Sequence, residues 1–203
     1  MVKFDSAQAP ALPGMPFGKG AADCLCAFLN LARSMGFATR NYDNYVGEVI
    51  FGDGAEEFAV LAHLDVVPAG EGWTHPPFAG EIADGKLYGR GTMDDKGPAV
   101  IALYCMKALK DAGFIPSKKI KLIVGCNEEN GWACIDHYNE VAYMPEIGFS
   151  PDADFPAIYA EKGILQFRMD FPLPNAPFTA LYGGERPNMV CGYAAAEGAA
   201  FDE

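Results

Sequence analysis

The sequence predicts an α/β fold, a mainly parallel mixed sheet flanked by helices. Three observations carry that expectation. Apolar runs at 58–62 and 119–125 have the length and character of buried strands, and each ends in polar, ionisable residues. Residues 97–112, between them, repeat apolar positions at helical spacing. Strands alternating with helices require right-handed crossovers, which lay parallel strands side by side under helices.

Each element has its own signal. Residues 1–17, rich in Ala, Pro and Gly, read as an extended arm. A helix is expected over 18–35, where Ala21, Leu25, Phe28, Leu29, Ala32 and Met35 form a stripe that Gly36 stops. Residues 37–40 and 45–51 read as strands. The second is expected to turn at Gly52-Asp53-Gly54 and pair as a hairpin with a strand at 57–62. The loop around Gly70, Gly72 and Trp73 suits either a cover packed over a site or a plain loop anchor. Residues 81–87 suggest a small hairpin turning at Asp84-Gly85. Pro98 sits near the first turn of the 97–112 helix, where proline is tolerated, and Gly113 closes it. Its buried face is expected to be Ile101, Ala102, Cys105 and Leu109, opposite Lys107, Lys110 and Asp111. A strand at 119–125, a helix at 132–141 and a short strand at 147–149 follow. Beyond Asp152, Leu165, Phe167, Met169 and Phe171 alternate with polar residues, as in a strand with one wet face. The tail offers no complete element.

Composition excludes several classes. A formal charge of −12 over 203 residues argues against nucleic acid, which needs clustered Lys and Arg. Lys118, Lys119 and Lys121 read as a solvated strand edge. No segment reaches the roughly 18 apolar residues of a membrane span, and the first residues are not a signal peptide, so a cytoplasmic location is expected. Six cysteines without a C-x-x-C pair read as buried, reduced thiols.

The chemistry lies at the strand ends. His63 is followed by Asp65, which alternation puts on the same face. Asp94-Asp95 precede a helix, Glu128-Glu129 follow a buried strand, and Asp152 ends another. Each has a plain reading alone: a core histidine, a helix N-cap, a surface pair, a turn residue. Together they place an imidazole and several carboxylates at the carboxyl ends of strands, where ligands of α/β sheets collect. Adjacent like charges after a buried strand are costly unless a cation offsets them, and imidazole with carboxylate suits zinc.

Four ordered blocks carry a resemblance: HLDVVPAGEGW, DGKLYGRGTMDDKGP, CNEENGW and SPDADFP. They resemble the signature blocks of the aminoacylase/ArgE/DapE/carboxypeptidase-G metallopeptidases, and within them the PepV-type dipeptidase branch related to carnosinase and the Sapep-type enzymes. A weaker echo continues through GGERPNMV. The resemblance implies a zinc-exopeptidase-like catalytic domain over 18–170 and the beginning of a lid domain over 171–203. It implies two divalent metal ions, zinc first, with manganese and cobalt as alternatives. His63 and Asp152 would hold one metal, Glu129 the second, and Asp94 would bridge them, followed by a cis peptide bond. Asp65 would orient His63. Glu128 would be the general base, taking a proton from a water shared by the metals and passing it to the leaving amine of a dipeptide.

Two departures temper that expectation. The second metal of the family takes a further histidine far along the chain, and neither His75 nor His137 lies in such a block. The helix that leads the family's domain and most of its lid are also missing. The 203 residues are therefore expected to be an incomplete domain with little or no dipeptidase activity. An N-acyl amino-acid deacylase or carboxypeptidase of the same machinery, or a non-catalytic metal-binding domain, are the rival readings.

Overall fold

A computed structural model of the chain describes residues 1–154, 156–172, 175, 177–184 and 189–198. It divides into two units, Met1–Ala69 with Trp73–Phe155, and Gly70–Gly72 with Pro156–Glu203.

In the first unit, the stripe of Ala21, Leu25, Phe28, Leu29 and Ala32 winds into a helix, Lys19–Ser34 (α1), with that stripe buried. Gly36, at φ +79°, ends it. Its N–H reaches Arg33 O, and that of Phe37 reaches Ala32 O, a Schellman cap that satisfies the last carbonyls. Strands Ala38–Tyr42 (β1) and Val46–Phe51 (β2) form an antiparallel hairpin. Its turn residues, Asp43 and Asn44, both take positive φ, the signature of a type I′ turn.

The next strand, Glu57–His63 (β3), does not pair with β2 as expected. A small antiparallel ribbon follows, Glu81–Ala83 (β4) with Lys86–Tyr88 (β5), and then a helix, Lys96–Asp111 (α2). The strand Lys119–Gly125 (β6) inserts between β2 and β3, antiparallel to the first and parallel to the second. After the helix Ala133–Val141 (α3), Gly148–Phe149 (β7) adds in parallel to the far side of β3. The sheet order is β1-β2-β6-β3-β7, a mixed sheet whose parallel half carries the site. The connection after β2 must therefore cross the approach to β6. A Cβ at Gly54 would collide with the Ser117 carbonyl oxygen, and one at Gly52 would meet Pro116 at 2.5 Å. Those glycines mark a crossing, not a hairpin.

Helices cover both faces. A Cβ at Gly47 would strike Leu25 and Leu29 of α1, so that face of β2 belongs to α1. Its neighbour Glu48 points the other way and accepts a 2.9 Å hydrogen bond from Tyr138 Oη of α3. Lys110 of α2 lies over the ring of Phe37, which packs edge-on against Phe51, so α2 sits on the α1 side.

Several expectations change here. The buried face of α2 is Lys96, Ala99, Leu103 and Met106, whereas Ile101 is 63 % exposed and Cys105 and Leu109 are exposed too. The helix carries apolar residues on both sides, so periodicity alone did not single out the stripe facing β3 and β6. Lys121 is no solvated edge. It lies in the middle strand of the sheet, buried, 2.7 Å from Glu57 and 3.4 Å from Glu48 of the strands on either side. Of the cysteines, Cys24, Cys126 and Cys134 are buried, while Cys26, Cys105 and Cys191 are exposed; all six are free.

In the second unit, residues 160–172 form no strand, and Leu165, Phe167, Met169 and Phe171 are exposed. Alternation sets a strand only where a neighbour accepts its hydrogen bonds, and none pairs with this stretch among the described residues. The tail does contain an element: Ala180–Gly183 (β8) pairs antiparallel with Ala194–Glu197 (β9). The run Ala-Ala-Ala-Glu of β9 is small and unpatterned, and β8 is only four residues long, so neither gave a sequence signal. Residues 185–188 of the GGERPNMV stretch lie outside the described residues. Among the described residues, no helix is long and apolar enough to cross a membrane.

Candidate metal centre

Parallel pairing of β6, β3 and β7 brings their carboxyl ends to one edge of the sheet, so the residues that follow each strand converge. His63 ends β3 opposite Gly125, on the α3 face, and is 1 % exposed. Gly125 has no side chain there because Cys134 of α3 fills the space; a Cβ would lie 2.9 Å from its Sγ.

Around His63 Nε2 stand three carboxylates: Asp94 Oδ1 at 3.0 Å, Asp152 Oδ2 at 3.4 Å and Glu128 Oε2 at 3.9 Å. Donor atoms of His63, Asp94 and Asp152 lie within 4.8 Å of one another, close enough to share one ion. Glu129 falls outside that group of three. On the far side of the ring, Nδ1 faces Asp65, 3.4 Å from Oδ1 and 3.1 Å from the backbone carbonyl. Asp65 is buried and clamped in turn, its two oxygens accepting hydrogen bonds from the backbone N–H groups of Glu128 (3.0 Å) and Glu129 (3.1 Å). One carboxylate thus ties the histidine to the acidic loop after β6.

The Asp94–Asp95 peptide bond is cis, as the resemblance implied. Asp95 occupies the N-cap position of α2 but makes no capping hydrogen bond. Its Oδ2 accepts from the backbone N–H of His63 at 3.0 Å, and its buried Oδ1 has no partner. This residue, Lys96 and Ser6 are site neighbours that sequence reasoning missed; an acidic pair before a helix gives no sign of which acid turns inward. Arg90 was missed as well. It reaches the carbonyls of Pro68 (3.5 Å) and Ala69 (3.4 Å) and lies 5.3 Å from the Trp73 ring centroid. Trp73 Nε1 donates to Ala69 O at 2.8 Å, so the tryptophan anchors its own loop.

The other histidines stay apart. His75 stacks on Tyr88 beside Glu81, and His137 stacks on Tyr45 with Nε2 3.0 Å from Asp43.

The electrostatics describe a site crowded with negative charge. Burial pushes Glu128 up, and burial with the Asp94 charge pushes Glu129 up to about 7. Burial likewise raises Asp95 to about 7. For His63 burial pulls downward, but hydrogen bonds to Asp152, Asp65 and Asp94 outweigh it and hold the imidazolium well above its ordinary range. Asp94 is lowered, chiefly by its hydrogen bond to His63. Without another cation the cluster must keep protons that a divalent ion would replace. One imidazole nitrogen and several carboxylate oxygens around a shared point, with a carboxylate on the second ring nitrogen, is a donor set that fits such an ion.

Comparison with known proteins places the chain in a family. The chain is 49 % identical over 161 residues to the Beta-Ala-Xaa dipeptidase of Lactobacillus delbrueckii subsp. lactis, covering 79 % of this chain and 34 % of the relative. It is 43 % identical over 189 residues to YtjP of Bacillus subtilis (strain 168), covering 90 % of this chain and 41 % of that protein. It spans well under half the length of these curated relatives. In fold it is similar to human carnosine dipeptidase 1, with a TM-score of 0.59 and 23 % identity over 69 % of this chain and 33 % of the other. A metallo-carboxypeptidase of Sulfolobus solfataricus gives a TM-score of 0.62 and 20 % identity over 75 % of this chain and 35 % of the other. Residues 59–174, more than half of the chain and spanning every candidate ligand from His63 to Asp152, match the family directly. The chain is thereby a member of peptidase family M20/M25/M40.

Proposed function

We propose that the chain carries the metal-binding core of a hydrolase acting on dipeptides. One observation carries this reading: His63, Asp94 and Asp152 present donor atoms within 4.8 Å of one another, with the Glu128 carboxylate beside them. In this reading His63 and Asp152 would hold one divalent cation and Glu129 a second, with Asp94 serving both. Zinc is the first choice, and manganese and cobalt suit the same nitrogen and oxygen donors. The cations, when bound, supply the Lewis acidity that amide hydrolysis needs.

The protein's own part is positioning and proton transfer. Asp65 fixes the ring of His63 and is itself fixed by two backbone amides, so the imidazole presents Nε2 inward. Glu128 stands at the rim, half-buried, with its affinity for protons raised by burial. It takes a proton from the attacking water at Oε2 and passes it to the leaving nitrogen as the C–N bond breaks. Dipeptides are the proposed substrates because the relatives include a Beta-Ala-Xaa dipeptidase 49 % identical to this chain over 161 residues. The arm over 1–17, catalytic domain over 18–170 and start of a lid over 171–203 belong to the same proposal, as does a cytoplasmic location, which free thiols suit.

These 203 residues contain three histidines, and only His63 stands in the site. A second cation would therefore lack an imidazole, and we infer slow turnover or none by this chain alone. The test is cobalt titration of the purified chain, followed by assay of dipeptides against N-acetyl amino acids with excess zinc, manganese or cobalt. The expected result is metal binding that His63→Ala abolishes and Glu128→Gln keeps. Any residual hydrolysis should favour dipeptides and vanish in Glu128→Gln. Failure of the wild-type chain to bind metal would overturn the proposal.

A further inference from the structure

Beside the site stands a buried cation that the proposed chemistry does not use. Lys96 is fully buried two residues beyond Asp94, and its ammonium donates to the carbonyl oxygen of Phe4 at 2.7 Å. Two residues along the same arm, the buried hydroxyl of Ser6 donates to the carbonyl of Leu64 at 2.6 Å. Ala7 then bridges in parallel to Val66. Leu64 stands between His63 and Asp65. The arm thus grips two of the backbone segments that bring ligands to the site, those of His63 and Asp94.

The surroundings are shaped for that grip. A Cβ at Gly20 would collide with the carbonyl oxygen of Asp5, and one at Gly89 with the side chain of Val2. At Gly18 it would lie 2.7 Å from Ala9, and at Gly91 2.9 Å from the stem of Lys96. Four glycines from two parts of the chain leave a channel for residues 2–9 and for the lysine that holds them. The two segments also meet directly, through the Asp95 carboxylate on the His63 N–H, the His63–Asp94 pair and the Arg90 guanidinium on the carbonyls of Pro68 and Ala69, and the arm adds a tie from outside them.

We propose that residues 4–7 form a strap that fixes the spacing of His63 and Asp94, with Ser6 and Lys96 as its positioning residues. The strap rests on the reading of His63, Asp94 and Asp152 as cation ligands. Neither Ser6 nor Lys96 touches the ion. Each holds the backbone next to a residue that does, so its removal loosens ligand geometry and not ligand identity. Supporting partners of this kind change metal affinity by about 10–100-fold when removed.

The test uses the complete 203-residue chain and Co²⁺ as the probe, following the visible absorption band and the affinity by chelator competition. Lys96→Met keeps the apolar stem and removes the ammonium; Ser6→Ala removes only the hydroxyl. Ser34→Ala deletes an exposed hydroxyl that bonds Leu31 O at 2.7 Å and serves as the matched control. Circular dichroism establishes that each variant is folded. Both strap variants should bind Co²⁺ about 10–100-fold more weakly with an altered band, and the control should match wild type. Folded strap variants that keep the wild-type band and affinity within about threefold, even with a lowered melting temperature, would make the arm merely structural and overturn the proposal. Should Lys96→Met not fold, Ser6→Ala decides alone. His63→Ala separates the two readings. Wild-type binding that His63→Ala abolishes and the strap variants keep sinks only the strap, whereas binding indifferent to His63 sinks both.

Discussion

The carboxylate of Asp95 accepts a 3.0 Å hydrogen bond from the backbone N–H of His63, joining the start of α2 to the end of β3. Both groups are buried, so the amide has no water to fall back on. Asp95→Ala should cost about 1–3 kcal/mol of stability by leaving that N–H unsatisfied. Asp95→Asn keeps an acceptor and should cost less. Urea denaturation of the metal-free chain checks the order, and equal losses would remove the importance given to this bond.

Stability of the metal-free chain should fall as pH rises. Glu129 and Asp95 have folded pKa values of about 7, above the ordinary carboxylate range near 4. Between those limits the folded state binds more protons than the unfolded one, so the stability each group contributes is complete below about pH 4 and lost towards pH 7. His63, also raised, adds the same sign above its unfolded value of about 6.5. Asp94, lowered, works the other way, its contribution being lost only as pH falls below its ordinary value of about 4. Thermal melts in chelator should therefore show a lower midpoint at pH 8 than at pH 5.5. Excess zinc should reverse that slope, because metal binding releases protons and tightens with pH.

The buried network around Lys121 should be more sensitive to loss of its cation than to loss of one anion. Lys121→Met leaves Glu48, fully buried, with only the hydroxyls of Tyr138 and Tyr42 and an Arg40 guanidinium 4.0 Å away. A loss of about 3 kcal/mol is expected. Glu57→Gln, at the partly exposed end of the pair, should cost about 1 kcal/mol. Chemical denaturation of both variants tests the ranking.

The two sides of α2 make a contrast that reports directly on which face is covered. Leu103→Ala should cost about 2–5 kcal/mol, whereas Ile101→Ser should change stability by no more than about 0.5 kcal/mol. A large loss at Ile101 would return the buried face to where periodicity first put it.

Much of the fold was legible because strong local signals agreed. Gly36 and Gly113 end their helices in Schellman caps, and the strand runs at 57–63 and 119–125 sit near where apolar character put them. The grouping of His63, Asp94 and Asp152 was legible because each lies at or near the end of an element that could be read. What escaped depends on long-range pairing. Nothing in Gly52-Asp53-Gly54 distinguishes a hairpin from a passage across β6. Lys121 reads as surface until Glu48 and Glu57 are placed on either side. Asp95, Ser6 and Lys96 act through backbone groups of His63, Leu64 and Phe4, and a backbone partner leaves no trace in side-chain pattern.

The position of β6 also bears on how the chain is made. Both strands that flank β3 come later in the sequence, and 55 residues separate His63 from Lys119. On a ribosome, at about 5–20 residues per second, the histidine-bearing segment waits roughly 3–11 s with its edges open before its first neighbour emerges. During that interval a chaperone, or a like segment from a nascent neighbour, competes for the same hydrogen bonds.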